Sequence, residues 1–479
     1  MLVSIPRRLA AAALAAALLA TLLSISSGRS ADAGVKGTEG AGPKAVAHHA
    51  GAKVIKANNR GPLPRLFRVG FGAGEPTVGV TNEGNVFFVA LPGSASKVIR
   101  STNEGKTWED VSPRLPSGQE LHRVSLDPYV HVDDTEGADR IFTIDLTVAC
   151  SYMSFSDDEG ESWITNPLAC GRPVNDHQTL FTGPPKSSIT VNYPNMVYYC
   201  WNDVASSACS KSIDGGLTFT PTGFPAYRGV TDDMNLCGGI HGHGHVDLKG
   251  NVYLPRDYCS QPWLAISRDE GLTWETVQVA KNGMPINCGY TSCTDPSVAV
   301  DRKGNIYYLY MAGDHLPYLV ISRDDGKTWS KPMMVGAPGV NDVNIPTLDV
   351  SAPGKLAFAY YGSTNSPYQG CREECERKDF TKTTWNGYMA VTANALDKNP
   401  VFYSTTVNDP KDPMKRQRCG PGRCDTSVYD FIDIRISPAG KVWAAFVDAC
   451  ILVCNTKDGV TDTGKDGVVG HLVGGPGLL

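Results

Sequence analysis

The sequence predicts an all-β chain folded as a β-propeller of seven four-stranded blades. Two repeats predict it. An eight-residue turn motif recurs five times, starting at Ser101, Ser156, Ser212, Ser267 and Ser322, with spacings of 55, 56, 55 and 55 residues. A strand–turn–strand pattern lies upstream of each of these turns and occurs seven times in all. Self-similarity at a fixed period of tens of residues marks a solenoid or a propeller. Abundant glycine and proline, 50 and 32 residues, suit many short strands joined by turns.

The turn motif reads STNEGKTW, SDDEGESW, SIDGGLTF, SRDEGLTW and SRDDGKTW. Serine and Asp or Asn side chains hydrogen-bond backbone groups within tight turns. Gly105, Gly160, Gly216, Gly271 and Gly326 occupy a position that permits a positive φ. The aromatic three residues later can pack between neighbouring sheets. These residues therefore build a hairpin turn and carry no chemistry of their own.

The upstream pattern is clearest in EPTVGVTNEGNVFF from Glu75 and DPSVAVDRKGNIYY from Asp295. In the fifth unit it predicts strands near 297–301, 305–311, 318–322 and 328–335. The sixth unit lacks a clear turn motif and carries an insertion with Cys371 and Cys375. The seventh lacks a fourth strand, which LFRVGF at 66–71 can supply. That pairing would join the two ends of the chain and remove an open sheet edge.

The first 33 residues read as a secretory signal: Arg7 and Arg8, an apolar run from Leu9 to Ile25, and a small-residue site at Ala31-Asp32-Ala33. No stable membrane insertion is expected after cleavage. Residues 34–61 lack periodicity and read as a disordered linker, which leaves 62–479 as the propeller. Fourteen cysteines, none before Cys150, imply disulfides in an exported chain. The candidate pairs are Cys150–Cys170, Cys200–Cys209 and Cys237–Cys259. A net charge of −5 gives no basic footprint for nucleic acid. The glycines of GFGAGEP, 70–76, lead into a strand, which argues against a phosphate cradle.

The five turns resemble the Asp-box, or BNR, motif of the sialidase superfamily and related secreted propellers. The resemblance spans roughly Pro64 to the C-terminus. It implies an extracellular location, a glycan or glycoprotein partner, and a ring of six blades as the alternative to the seven counted. It also implies three arginines that clamp a substrate carboxylate, a Tyr–Glu nucleophile and an Asp acid/base. The early Arg-Ile-Pro segment of such enzymes finds its counterpart at Arg68. A monomer is expected.

In such propellers the repeated turn joins the third and fourth strands on one rim, and a site belongs on the other, around the channel mouth. Polar residues recur there before each innermost strand: Glu75, Asp127, Asp176 with His177, His241 with His243, Asp295, Asp342 and Asp430. Three readings follow. As a glycoside hydrolase, the facing carboxylates of Glu75, Asp127, Asp176 and Asp295 would serve as acid and as base or nucleophile, with Arg123 and Arg256 holding an acidic sugar. As a metal site, His241, His243 and His245 would project from one strand face toward zinc or another divalent cation, with His177 or Asp176 as a further ligand. As a binding propeller, rim aromatics such as Tyr129 and Tyr258 would stack on sugars or anchor a protein. If the cysteines are bridged, thiol titration of denatured, unreduced protein should detect almost no free thiol; many free thiols would contradict both export and bracing of the loops.

Overall fold

The computed structural model describes residues 38–39 and 41–479, except 57–60, 94, 116, 120, 122–124, 126, 136, 148–149, 169–174, 203–205, 229–238, 284–294, 368–381, 417–418, 421–422, 425–430 and 450–465. The described residues form strands and turns and no helix. Seven antiparallel sheets surround a central axis as the blades of a propeller. We name the strands of each blade A to D from the axis outward.

The strands of the fifth blade are Ser297–Val300, Ile306–Met311, Pro317–Ser322 and Met333–Met334, close to the sequence expectation. Their burial shows why they form. Each blade packs on a neighbour at both faces, so the inner strands are apolar throughout rather than alternating; Val86–Ala90 is buried at every residue.

The ring closes as the sequence anticipated. Leu63–Gly72 is the D strand of the seventh blade and pairs antiparallel with Asp466–Val473. Phe67 is buried there and lies 6.4 Å from the ring of Trp443. Arg68, by contrast, points to no clamp. It sits on this outer strand, along which Thr38–Glu39 also pairs, and pairs with Asp448 and Asp466 at 3.1 and 2.5 Å.

One domain boundary is corrected. Val46–His49 and Lys53–Val54, placed in a linker by the sequence, extend the sixth blade by two strands. His48 is buried, stacks on Phe402 and hydrogen-bonds the Ser404 hydroxyl at 2.7 Å. The segment's Gly, Ala and Lys content and lack of periodicity misled the sequence reading, because a strand added at a sheet edge is held by main-chain pairing and a few side chains.

The five repeated turns fold alike. In each, the serine hydroxyl accepts the glycine amide four residues on, at 2.8–2.9 Å. The Asn or Asp at the third position accepts the amide of the seventh, at 2.8–2.9 Å. The conserved-position glycines all have positive φ, so the sequence assignment of their role holds.

Cys200 and Cys209 are bonded to each other, and Cys259 is also in a disulfide. Cys170 and Cys237, needed for the other candidate pairs, lie outside the described residues, as do Cys371 and Cys375. Phe67→Ala should cost about 3–5 kcal/mol by opening the closing strand's core, measured by chemical denaturation. A loss below about 1 kcal/mol would show that closure does not depend on this packing.

Candidate functional site

Strand alternation places the B–C and D–A connections on one rim, opposite the repeated turns. The start of each A strand lies at this rim, and the A strands line the central channel. The third and sixth blades supply distorted starts, each with a register shift in its A strand. Asp176–Gly183 pairs with Met196–Asn202, but the register shifts between Asp176 and Thr179. His177, inside this bulge, has φ 47°. A bulge re-aims side chains and is frequent beside functional sites. Glu75 and Ile345, at the starts of the first and sixth blades, also have left-handed φ of 52° and 44°. Non-glycine residues in this region carry strain that the surrounding structure must hold.

The bulge gathers carboxylates and imidazoles from adjacent blades. The Asp127 carboxylate of the second blade accepts the His177 amide at 2.9 Å, and its carbonyl accepts the Gln178 side chain. His177 Nε2 lies 2.6 Å from the Asp295 carboxylate of the fifth blade. The His177 ring stands 5.8 Å from that of His241 on the fourth blade. Asp176 keeps contact with solvent while protein surrounds its other sides. That desolvation, with the negative charges of Asp127 and Asp295, raises its pKa to about 6, against the pull of His177. Glu75 is buried at the first blade. The structure thus brings Asp127, Asp176, His177, Asp295 and His241 into one cluster.

Arg256 is buried beside the cluster, on strand B of the fourth blade. It donates to the Ser207 hydroxyl at 2.9 Å and the Gly239 carbonyl at 2.8 Å. Its guanidinium lies 5.4 and 5.5 Å from the rings of Tyr227 and Tyr258. His241 shares the Ser207 hydroxyl at 3.2 Å. Arg256 therefore braces the fourth-blade wall of the mouth. Arg123 lies outside the described residues.

The three alternate histidines occupy three depths of the channel. His241 is at the mouth. The His243 ring sits lower, 5.1 Å from both Tyr129 and Phe431. His245 begins the regular A strand, Val246 follows it, and both pair with strand B. Gly242 and Gly244 explain the alternation. A Cβ at Gly242 would fall 1.8 Å from the Pro296 carbonyl oxygen, and one at Gly244 would fall 2.1 Å from the Phe181 ring. Only glycine lets the fourth blade's inner strand lie this close to both neighbours. Among the described residues, no three His, Cys, Asp or Glu side chains converge as a metal site.

Burial, then neighbouring cations and imidazoles, holds the mouth and mid-channel histidines well below the ordinary pKa. His177 and Arg256 act on His241, and Arg435 and His177 on His243. Both rings leave Nε2 buried without a hydrogen-bond partner among the described residues. Phe431, 5.1 Å from the His177 ring, floors the mouth. Between Asp295, Pro296, Ile345, Phe431 and His243 remains space for about one water.

Deeper still lies a charged layer that the sequence reading missed. Arg435 pairs with Asp433 at 3.1 Å, and Asp349 accepts the Ile436 amide at 2.7 Å. Burial raises the Asp433 pKa to about 6 despite Arg435. Burial and then Arg435 lower His131 to about 3. A signal was present: DIRI, 433–436, sets two charged residues, Asp433 and Arg435, at alternate positions of an inner strand.

No protein-family model matches the chain, and no curated protein matches it. Solved structures do resemble it. One is a Hadza microbial sialidase, Hz136, at 17% identity over 61% of this chain, with a TM-score of 0.40. This chain spans 64% of that protein's length, less than two thirds. A protein of unknown function from Dyadobacter fermentans matches at 12% identity over 86% of this chain and 98% of its own, with a TM-score of 0.42. A lectin from Aleuria aurantia, solved with Fucalpha1-6GlcNAc, matches at 10% identity over 66% of this chain and 91% of its own, with a TM-score of 0.40. At these identities none of the three passes an activity to this chain.

The buried histidines set a pH dependence with a definite sign. Burial first lowers the His245 pKa to about 4, and Arg435 adds to this, against about 6.5 in an unfolded chain. The unfolded state therefore binds the proton first as pH falls. The His245 contribution to stability is present above about pH 6.5 and is lost toward pH 4. Asp433 acts oppositely: its contribution is present below about pH 4 and is lost as pH rises through 6. His245→Gln should show a smaller fall in Tm than wild type between pH 6.5 and 4.5. Parallel Tm profiles would mean that His245 is not held neutral by burial.

Proposed function

We propose that this is an exported propeller that binds glycans at the channel mouth and cleaves a glycosidic bond there. Asp176 acts as general acid and Asp127 as the second carboxylate. One observation carries the reading. An exposed carboxyl, Asp176, stands at a strained bulge whose next amide, that of His177, is held by a second carboxylate, Asp127, and its surroundings raise its proton affinity. A carboxyl whose proton affinity is raised can deliver a proton to a leaving group, and two carboxyl groups at one site are the common arrangement of glycosidases. The resemblance of the five turns to the Asp-box motif adds the substrate class.

The chain's own residues divide the work. Asp127 is oriented by the His177 amide, and His177 is held in turn by Asp295. His241, buried behind the mouth and braced on the Ser207 hydroxyl, backs this arrangement. Phe431 and Tyr129 close the floor, so the ligand rests across the mouth rather than threading the channel. Export is supported by the basic and apolar N-terminal residues and by disulfides at Cys200, Cys209 and Cys259. The closed floor also favours a second reading, recognition without cleavage.

A panel of fluorogenic glycosides, sialosides included, separates the two. Wild type should turn over at least one member. Asp176→Asn should lower kcat about 100- to 10,000-fold, with KM nearly unchanged. Full activity in Asp176→Asn would remove Asp176 from the chemistry. No turnover across the panel, with glycan binding retained, would establish the second reading.

A further inference from the structure

The rim opposite the mouth carries an apolar patch confined to the third and fourth blades. In the repeated turn, the residue after the glycine is Lys106, Glu161 and Lys327 in the first, second and fifth blades. In the third and fourth it is Leu217 and Leu272. The A–B turns change in the same way: Leu248 stands where the first and fifth blades have Asn82 and Arg302. Ile189, Val191, Ile213 and Phe224 extend the set. All seven are exposed, by 40–85%.

They form one surface. The Val191 amide donates to the Ile213 carbonyl at 2.7 Å, and the Phe224 amide to the Leu272 carbonyl at 3.4 Å. Glu270, in the turn of the fourth blade, accepts the amides of Lys186, Ser187 and Ser188 at 2.9 Å. It thereby docks the loop that carries Ile189 against the turn that carries Leu272.

We propose that this patch is the interface of a homodimer, with a second copy of the chain as its occupant. Seven side chains of this size at these exposures present roughly 800 Å², more than the largest patch of a typical monomer and close to one partner's share of a standard interface. The flanking exposed charges are of both signs and balanced: Lys249 with Asp325, and Arg268 with Glu275. An apolar centre with a rim of both signs is self-complementary, as a two-fold contact requires. It does not suit an anionic lipid surface, which would meet Asp214, Asp269 and Asp325 at the turn tips. The two channel mouths of such a dimer face outward and stay open, whatever they bind.

Sedimentation velocity of the mature chain over a concentration series into the micromolar range tests this. Wild type should show a concentration-dependent species of twice the chain's mass. Phe224→Lys with Leu272→Lys, both on exposed side chains, should raise the dimer dissociation constant roughly 100-fold or more with an unchanged circular dichroism spectrum. A wild type that stays monomeric throughout would overturn the proposal. So would a dimer that survives the double substitution. Flotation of wild type, but not the variant, with phosphatidylserine vesicles would reassign the patch to a lipid surface.

Discussion

Closure of the ring is the constraint on which the rest depends. The D strand of the seventh blade comes from Leu63–Gly72 and its other three strands from the far end of the chain. A sheet ring with an open seam exposes an unpaired edge and loses the radial packing of its neighbours. Closure fixes the seven A strands around one axis. That in turn fixes what can meet at the mouth: only the first residues of those strands and the connections beside them. Asp127, Asp176, His241 and Asp295 come from four blades and are distant in sequence. They meet because the ring brings strand starts together.

Within the ring, close packing sets the pattern of the opening strand of the fourth blade. Gly242 and Gly244 leave no room for a side chain, so every side chain between Ile240 and Val246 belongs to a histidine. The geometry then distributes those histidines along the channel instead of concentrating them. The same crowding desolvates them and keeps them neutral. The strain at Glu75, His177 and Ile345 is stored where the A strands begin. There the repeated architecture gives way to local shape.

Much of the fold was legible because it is repetitive. The turn residues name their own hydrogen bonds, so the Ser-to-Gly and Asp-to-amide contacts could be anticipated one by one. The closing strand was legible because the seventh unit lacked a partner and LFRVGF had none. The extra strands at 46–54 were not, since an edge strand needs little apolar content. The site was legible only as a set of strand starts. No residue type announces a bulge, and the strain at His177 follows from how the second and third blades meet. The layer of Arg435, Asp433 and Asp349 was missed because each residue reads singly as an unremarkable loop or strand polar. Their joint burial appears only when the A strands are set around an axis.

The central claim is that ring closure sets Asp176 and Asp127 at one channel mouth, where the Asp127 charge raises the proton affinity of Asp176. Its most direct test is a pH titration of the Asp176 carboxyl carbon by NMR in aspartate-labelled protein, assigned by the Asp176→Asn variant. The account requires a midpoint near 6 that falls toward the ordinary aspartate range in Asp127→Asn. A midpoint near 4 in the wild type, unmoved by that substitution, would mean the two carboxylates do not share an environment, and the mouth would not be the acid/base centre described.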